Sequence, residues 1–206
     1  MIGSNGVHVR SGRASVVRSA TFLACAFSMA CGAPAAGQQP DLAKRIEQCV
    51  ACHGADGNSR LERVPSLAGQ PEFFILNQLF LMREGVRKIE PMADVVKDLK
   101  DEDLQALAGH FAKLPPKASE EKVDPDLVKK GAALAQRLRC ASCHLPTLAG
   151  QEQMPRLAKQ RIDYMVLAMQ AYRDNTRSGA DTAMTAVIVG ANDDELTALA
   201  HYAASR

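Results

Sequence analysis

The sequence of 206 residues contains no tryptophan, and aromatic residues make up only 4% of it. It also lacks a large net charge, because 25 basic residues balance 23 acidic ones. Without a clustered basic surface, nucleic acid is excluded as a partner. The charged fraction of 23% and the hydrophobic fraction of 47% are ordinary for a globular protein. These values exclude wholesale disorder and collagen-like repeats.

Long apolar runs are also absent, and the N-terminal one is too short to span a bilayer. The apolar stretch over 20–30 has 11 residues, whereas a membrane-spanning helix needs about 20. The segment before it carries no acid, and its charged residues are Arg10, Arg13 and Arg18. This pattern predicts a cleavable signal peptide over 1–36, with cleavage near Ala35, and an exported, soluble mature protein. An uncleaved anchor and a lipid-modified Cys31 are the alternatives.

The rest of the sequence consists of two copies of one unit. Two motifs recur at spacings of 90 or 91 residues: C-x-x-C-H at 49–53 and 140–144, and P-x-L-A-x-Q at 65–70 and 155–160. A proline- and charge-rich segment over 114–125 separates the copies. Such a regular repeat predicts tandem domains over 37–116 and 117–206.

Both copies are predicted to be helical. Apolar residues recur at helical spacing, and no stretch alternates apolar and polar residues as a strand would, so the fold class is all-α. Pro71 is expected to open a helix that ends before Gly85. Asp126 is the expected N-cap of another helix, and Asn192 is predicted to open the last one. A unit of about 80 residues with few aromatics buries little surface, so something apolar should fill its centre.

The cysteine motifs indicate what that apolar group is. Two cysteines three positions apart place both sulfurs on one side of a turn, where they can form thioether bonds to one haem, and the next histidine can reach the iron. C-x-x-C-H is the haem-attachment pattern among cysteine motifs. It occurs twice here, which predicts two covalently attached haem c groups on Cys49, Cys52 and His53, and on Cys140, Cys143 and His144. A zinc site, a redox dithiol and ordinary disulfides are the weaker alternatives.

The second iron ligand must approach from the opposite face of the ring. Met92 lies 39 residues after His53, and Met184 lies 40 residues after His144. This matched spacing makes them the predicted ligands, while the other methionines of the mature chain are expected in the core or too close to the histidine. Two further histidines also correspond between the copies and are reserve candidates: His110 and His201.

Some residues are predicted to support the ligands. An iron-bound imidazole usually donates its other N–H to a carbonyl, and Pro65 and Pro155 are placed to supply it. Arg87 and Arg177 could pair with haem propionates. A solvated surface position is the more usual one for such arginines.

These motifs together resemble those of the dihaem cytochrome c4 family. The resemblance covers C-V-A-C-H-G-A-D-G-N at 49–58, P-S-L-A-G-Q at 65–70 and the P-M-A that contains Met92. It implies two tandem class I cytochrome c domains in a periplasm, with His/Met ligation in each. The second copy departs from the pattern, because His144 is followed by leucine rather than by a Gly-containing stretch. Partner choice or the second potential is therefore expected to differ.

The function predicted from these features is that of an electron carrier rather than an enzyme. With histidine and methionine on both faces, no substrate site remains open at the iron, and partners would dock transiently at the haem edges. Donors and acceptors would be redox proteins, with a membrane-bound oxidase or a dehydrogenase among the candidates. Two alternatives remain: a cytochrome subunit bound permanently to a periplasmic dehydrogenase, and a peroxidase-like enzyme with one open iron.

Overall fold

A computed structural model describes residues 39–179 and 182–206. The predicted signal peptide over 1–36 lies outside the described residues. Within the described part, the chain forms nine helices and no β-strand, with one isolated bridge between Gln151 and Met154. The all-α prediction is confirmed. No helix in this part has the length and apolar character required to cross a membrane.

The first half of the fold contains four helices. These are α1 (Gln39–His53), α2 (Glu72–Arg83), α3 (Met92–Val96) and α4 (Asp101–Ala112). Helix α2 starts after Pro71 and ends before Gly85, whose φ of 69° continues the chain in a conformation that suits glycine, as predicted. Helices α1 and α2 both pack against α4, around a core in which Phe111 is only 2% exposed.

The second half contains α5 (Pro125–Arg137), α6 (Ala141–His144), α7 (Ile162–Arg173), α8 (Thr182–Ile188) and α9 (Asp193–Ala204). Helices α5 and α7 both pack against α9, and the apolar core surrounds that last helix. The capping box between Asn192 and Glu195 is confirmed. The N-cap predicted for α5 is wrong. Asp124 caps it instead, because its carboxylate accepts from two backbone N–H groups beyond Pro125.

The two halves contact each other through equivalent residues. Gln160 hydrogen-bonds the backbone of Ser66, and Gln70 hydrogen-bonds the backbone of Arg156. Each partner of the first pair is 90 positions from its counterpart in the second pair, so the contact is reciprocal, as in a twofold-symmetric interface. All four residues are at most 4% exposed, which places these bonds away from water.

Two candidate haem sites

Each C-x-x-C-H motif lies at the end of a helix or forms one. Cys49, Cys52 and His53 end α1, and Cys143 and His144 end the short helix α6. The first cysteine of each motif is half-buried and the second is exposed. Burial raises the pKa of the Cys49 thiol to about 11, and burial also raises the pKa of Cys140. At neutral pH the Cys49 and Cys140 thiols are therefore protonated.

The two motif histidines are oriented in the same way. His53 Nδ1 donates to the Pro65 carbonyl at 2.8 Å, and His144 Nδ1 donates to the Pro155 carbonyl at 2.9 Å. Both imidazoles are at most 7% exposed. Burial lowers the pKa of each, and the carbonyl hydrogen bond only partly opposes it. The imidazoles are thus held neutral, with Nδ1 occupied and Nε2 free to bind a metal.

Each predicted methionine ligand packs against the same apolar cluster as the first cysteine of its motif. Met92 is the first residue of α3, and Met184 lies inside α8. Met92 packs against the same apolar cluster as Cys49. Met184 likewise packs against the same cluster as Cys140. In each half, the first thiol of the motif and the predicted thioether ligand therefore border one apolar cluster.

The reserve histidines have other contacts. His201 Nδ1 accepts a hydrogen bond from the backbone N–H of Asp124 at 3.0 Å, next to the start of α5. His110 lies in α4, where its ring meets Phe111 edge-on at 5.0 Å between centroids. Both contacts are those of packing residues.

The turn after each motif is built in the same way from different residues. In the first half, Gly54 and Gly57 have φ values of 86° and 73°, and Gly57 N–H bonds to Gly54 O. In the second half, Leu145 and Leu148 occupy these positions with φ values of 68° and 56° and make the same bond. The departure from the glycine pattern therefore preserves the turn and adds backbone strain, because left-handed φ is unfavourable for leucine.

Buried guanidinium groups lie where the halves meet. Arg87 is 7% exposed and Arg156 is 3% exposed, so the surface position predicted for Arg87 is wrong. The Nε atoms of both lack a hydrogen-bond partner within 39–179 and 182–206. Burial raises the pKa of Tyr164, but the charges of Arg87 and Arg177 and their hydrogen bonds to the phenol bring it below its ordinary value. The Nε donors of Arg87 and Arg156, unpaired within the described residues, suit carboxylate partners.

The donor set of each half fits a covalently bound haem. Two thiols stand beside a neutral imidazole with a free Nε2, and a thioether side chain lies on the adjoining apolar cluster. The orphaned guanidinium nitrogens complement the propionates that a haem carries. The side chains therefore match all three chemical parts of the group: vinyl positions, iron and carboxylates.

The interface glutamines are functional candidates that sequence reasoning missed. Gln70 and Gln160 end the repeated P-x-L-A-x-Q motif, so the sequence contained the signal that they correspond. Which groups they bind depends on how the two copies pack, and a single-copy pattern does not contain that information.

The sequence is similar to those of known cytochromes and of an electron-acceptor protein. The model of the Cytochrome c family matches residues 128–205. Cytochrome c4 from Pseudomonas aeruginosa is 32% identical over 184 residues, covering 84% of this chain and 88% of that protein. A protein from Thiomonas intermedia named thiosulfate dehydrogenase electron acceptor is 30% identical over 174 residues, covering 77% of this chain and 78% of its own.

A solved structure shows the same arrangement of helices. The crystal structure of reduced cytochrome c4 from Pseudomonas stutzeri superposes with a TM-score of 0.74 at 28% sequence identity. The match covers 82% of this chain and 99% of that one. The likeness therefore extends over both halves of the fold rather than over one cytochrome c unit.

Proposed function

Since this chain belongs to the dihaem cytochrome c4 family and carries two covalently bound haem c groups in tandem class I cytochrome c domains, we propose that it is a periplasmic electron carrier and not an enzyme. It passes electrons between redox proteins. The residues that hold the first haem are Cys49, Cys52, His53 and Met92, with Pro65 behind the histidine. Those that hold the second are Cys140, Cys143, His144 and Met184, with Pro155 behind the histidine.

The observation that carries this assignment is the repeated histidine geometry. In both halves, the histidine after the second cysteine is buried, and its Nδ1 is bonded to a proline carbonyl at 2.8 or 2.9 Å. This bond fixes the ring orientation and makes the free Nε2 a better ligand. A histidine with a purely structural role needs no such arrangement beside two free thiols. Because the arrangement occurs in both copies, it supports a common role for the two histidines.

The proposed iron ligands, cysteines and arginines suit an electron carrier. Bound haem iron supplies a one-electron couple between its ferric and ferrous states. The histidine and methionine side chains would hold the iron from both sides and leave substrates no access to it, and a methionine ligand would raise the reduction potential. The cysteines would prevent loss of the group, and Arg87 and Arg156 would offset the charge of its carboxylates.

The proposal includes the organisation of the chain. The signal peptide over 1–36 would direct export, and the two haem domains would extend over 37–116 and 117–206. The beginning of the second segment is tied to the first domain, because Lys117 Nζ contacts the Asp56 carboxylate at 2.6 Å and Lys117 N–H donates to Asn58. This attachment supports a linker that holds the domains together rather than one that lets them drift.

The experiment that tests the ligands removes each methionine separately. The exported protein is denatured to count attached haems, and the native spectra of Met92→Ala and Met184→Ala are then recorded. We expect two haems per chain, and each variant should lose one low-spin His/Met signature and keep the other. Met82→Leu is the matched control, because Met82 is buried in the core of the first half, and it should keep both. Unchanged spectra in either alanine variant would contradict the assignment.

A second candidate function is that of a cytochrome partner dedicated to one dehydrogenase. It is favoured by the similarity to the thiosulfate dehydrogenase electron acceptor from Thiomonas intermedia. A dedicated subunit should remain bound to its dehydrogenase through purification in high salt, whereas a diffusing carrier should elute alone. Co-elution of a stoichiometric partner at high ionic strength would favour this second function.

A further inference from the structure

One peptide group links the histidine of the first half to a glutamine of the second. The Pro65 carbonyl accepts from His53 Nδ1 at 2.8 Å. On the other side of that peptide bond, Ser66 N–H donates to Gln160 Oε1, also at 2.8 Å. Gln160 Nε2 then donates to Ser66 O at 2.9 Å, which holds the amide in place. The result is a continuous chain of hydrogen bonds from imidazole to peptide to glutamine.

The second half repeats this chain with the roles exchanged. The Pro155 carbonyl accepts from His144 Nδ1 at 2.9 Å, and Arg156 N–H in the same peptide group donates to Gln70 Oε1 at 2.9 Å. Gln70 Nε2 donates to Arg156 O at 2.9 Å. Each glutamine therefore lies in one half and contacts the peptide behind the histidine of the other.

The chemistry of the partners fixes the orientation of both amides. The oxygen of each glutamine meets a backbone N–H and its nitrogen meets a backbone carbonyl, so a flipped amide would lose both bonds. Gln160 Oε1 accepts a second N–H from Arg161 at 3.0 Å. The glutamine side chains are 4% exposed for Gln70 and 2% for Gln160, which leaves little room for water to replace them.

The peptide group transmits polarisation. Its C=O and N–H are conjugated, so an acceptor on the N–H draws charge toward the carbonyl oxygen. Hydrogen bonds in such a chain strengthen one another, and more so in a medium of low dielectric constant. A stronger acceptor at Nδ1–H makes the imidazole a more basic ligand, and a more basic ligand favours the ferric state.

We propose that Gln160 and Gln70 are positioning residues that tune the reduction potential of the haem in the opposite half. Gln160 acts on the first haem through Ser66 N–H and His53. Gln70 acts on the second haem through Arg156 N–H and His144. The inference rests on the proposed ligation by the two histidines.

The test replaces each glutamine by methionine, which has a similar length but is a poor acceptor. Gln160→Met should raise the potential of the first haem and leave the second nearly unchanged, and Gln70→Met should do the reverse. We expect a threefold to tenfold change in the ratio of reduced to oxidised haem at fixed potential, which is about 28 to 59 mV for one electron. Haem-resolved NMR during a redox titration assigns each shift, and the Nδ1–H resonance of the affected histidine should move as well.

A shift in potential confined to the haem of the half opposite the substituted glutamine separates a tuning role from a merely structural one. Ser178→Ala is the matched control, because it removes a different bond between the halves, from Lys88 N–H to Ser178 Oγ at 2.8 Å. It should leave both potentials unchanged. Equal shifts of both haems, a shift only in the half that carries the substitution, or no shift would overturn the proposal. If Gln160→Met does not fold, Gln160→Asn, too short to reach Ser66, should raise the first potential in the same way.

If the proposed function itself is wrong, the unsubstituted protein already shows it. If the histidines do not bind iron, the unsubstituted protein will lack two low-spin centres with imidazole ligands, before any glutamine variant is made. If both centres are present and the crossed shifts are absent, only the inference about the glutamines is wrong.

Discussion

Two leucines after the second haem motif both have a positive φ but have different surroundings. Leu145 and Leu148 both have φ near 60°, where the corresponding residues of the first half are glycines. Such conformations cost an L-residue about 1 to 3 kcal/mol, and the ψ of 159° at Leu145 completes a combination found almost only in glycine. Leu148 is 2% exposed and belongs to the apolar core, whereas Leu145 is only half-buried. Packing therefore offsets the strain at one position far more than at the other.

This difference predicts unequal effects of glycine. Leu145→Gly should leave the free energy of unfolding within about 1 kcal/mol of the parent, because relief of strain offsets the entropy that glycine loses on folding. Leu148→Gly should lower it by about 2 to 5 kcal/mol, since a buried side chain is removed. Denaturant unfolding followed by circular dichroism measures both. Equal losses in the two variants would show that burial does not distinguish the two leucines.

At the scale of helices, the local cap of α9 was predictable, the local cap of α5 was placed two residues too late, and the distant cap of α7 was not predictable. The capping box of α9 lies within four consecutive residues and follows a known pattern, so the sequence predicts it. Helix α7 has no local side-chain cap. Glu121, 41 and 42 residues earlier, accepts from the N–H groups of Ile162 and Asp163 at 2.8 and 2.9 Å. A cap supplied by the linker depends on the folded path of the chain, which no local pattern contains.

The crossing of α5 and α9 depends on a glycine. A Cβ atom on Gly131 would overlap the carbonyl of Ala198 in α9, and backbone cannot move aside as a flexible side chain does. Gly109, in α4, has its nearest obstacle at 3.5 Å, a Glu72 oxygen, which is ordinary contact. The two helical glycines therefore differ in the space available beside them.

Alanine substitutions should separate the two glycines by sign. Gly131→Ala should destabilise the protein by about 1 to 3 kcal/mol or more, because α5 and α9 must move apart. Gly109→Ala should stabilise it by up to about 1 kcal/mol, since alanine favours the helix. Thermal unfolding of the two variants beside the parent provides the comparison. A stable Gly131→Ala variant would mean that the helices can cross without this close approach.

At the scale of the molecule, the repeat predicted two similar halves but not their contact. The motif P-x-L-A-x-Q appears in both copies, yet the sequence does not show that each final glutamine reaches the opposite copy. The same holds for Arg87, which resembles a surface residue in sequence and is buried where the halves meet. Periodicity and motif spacing describe one unit at a time, whereas these contacts depend on the fit of two folded surfaces.

An acidic residue in this contact makes the attachment of the halves depend on pH. Asp163 accepts from Arg161 Nη2 at 2.7 Å and, across the interface, from Arg63 N–H at 3.0 Å. Burial raises the pKa of Asp163, but the hydrogen bonds from Arg161 and Arg63 hold it below its ordinary value of 3.8. A carboxylate with a lowered pKa stabilises the fold above pH 3.8, and this contribution is lost as the pH falls through the folded-state value.

Asp163→Asn should therefore cost stability at neutral pH and little in acid. At pH 6 the variant should be less stable than the parent by about 1.5 to 3 kcal/mol, the usual contribution of hydrogen bonds to a charged group. The difference should shrink as the pH falls below 3.8 and through the lowered folded-state pKa of this carboxylate. Asp98→Asn, at an exposed position, is the control and should change the free energy of unfolding by no more than about 0.5 kcal/mol. A penalty for Asp163→Asn of the same size at pH 6 and pH 2.5 would show that its charge does not hold the halves together.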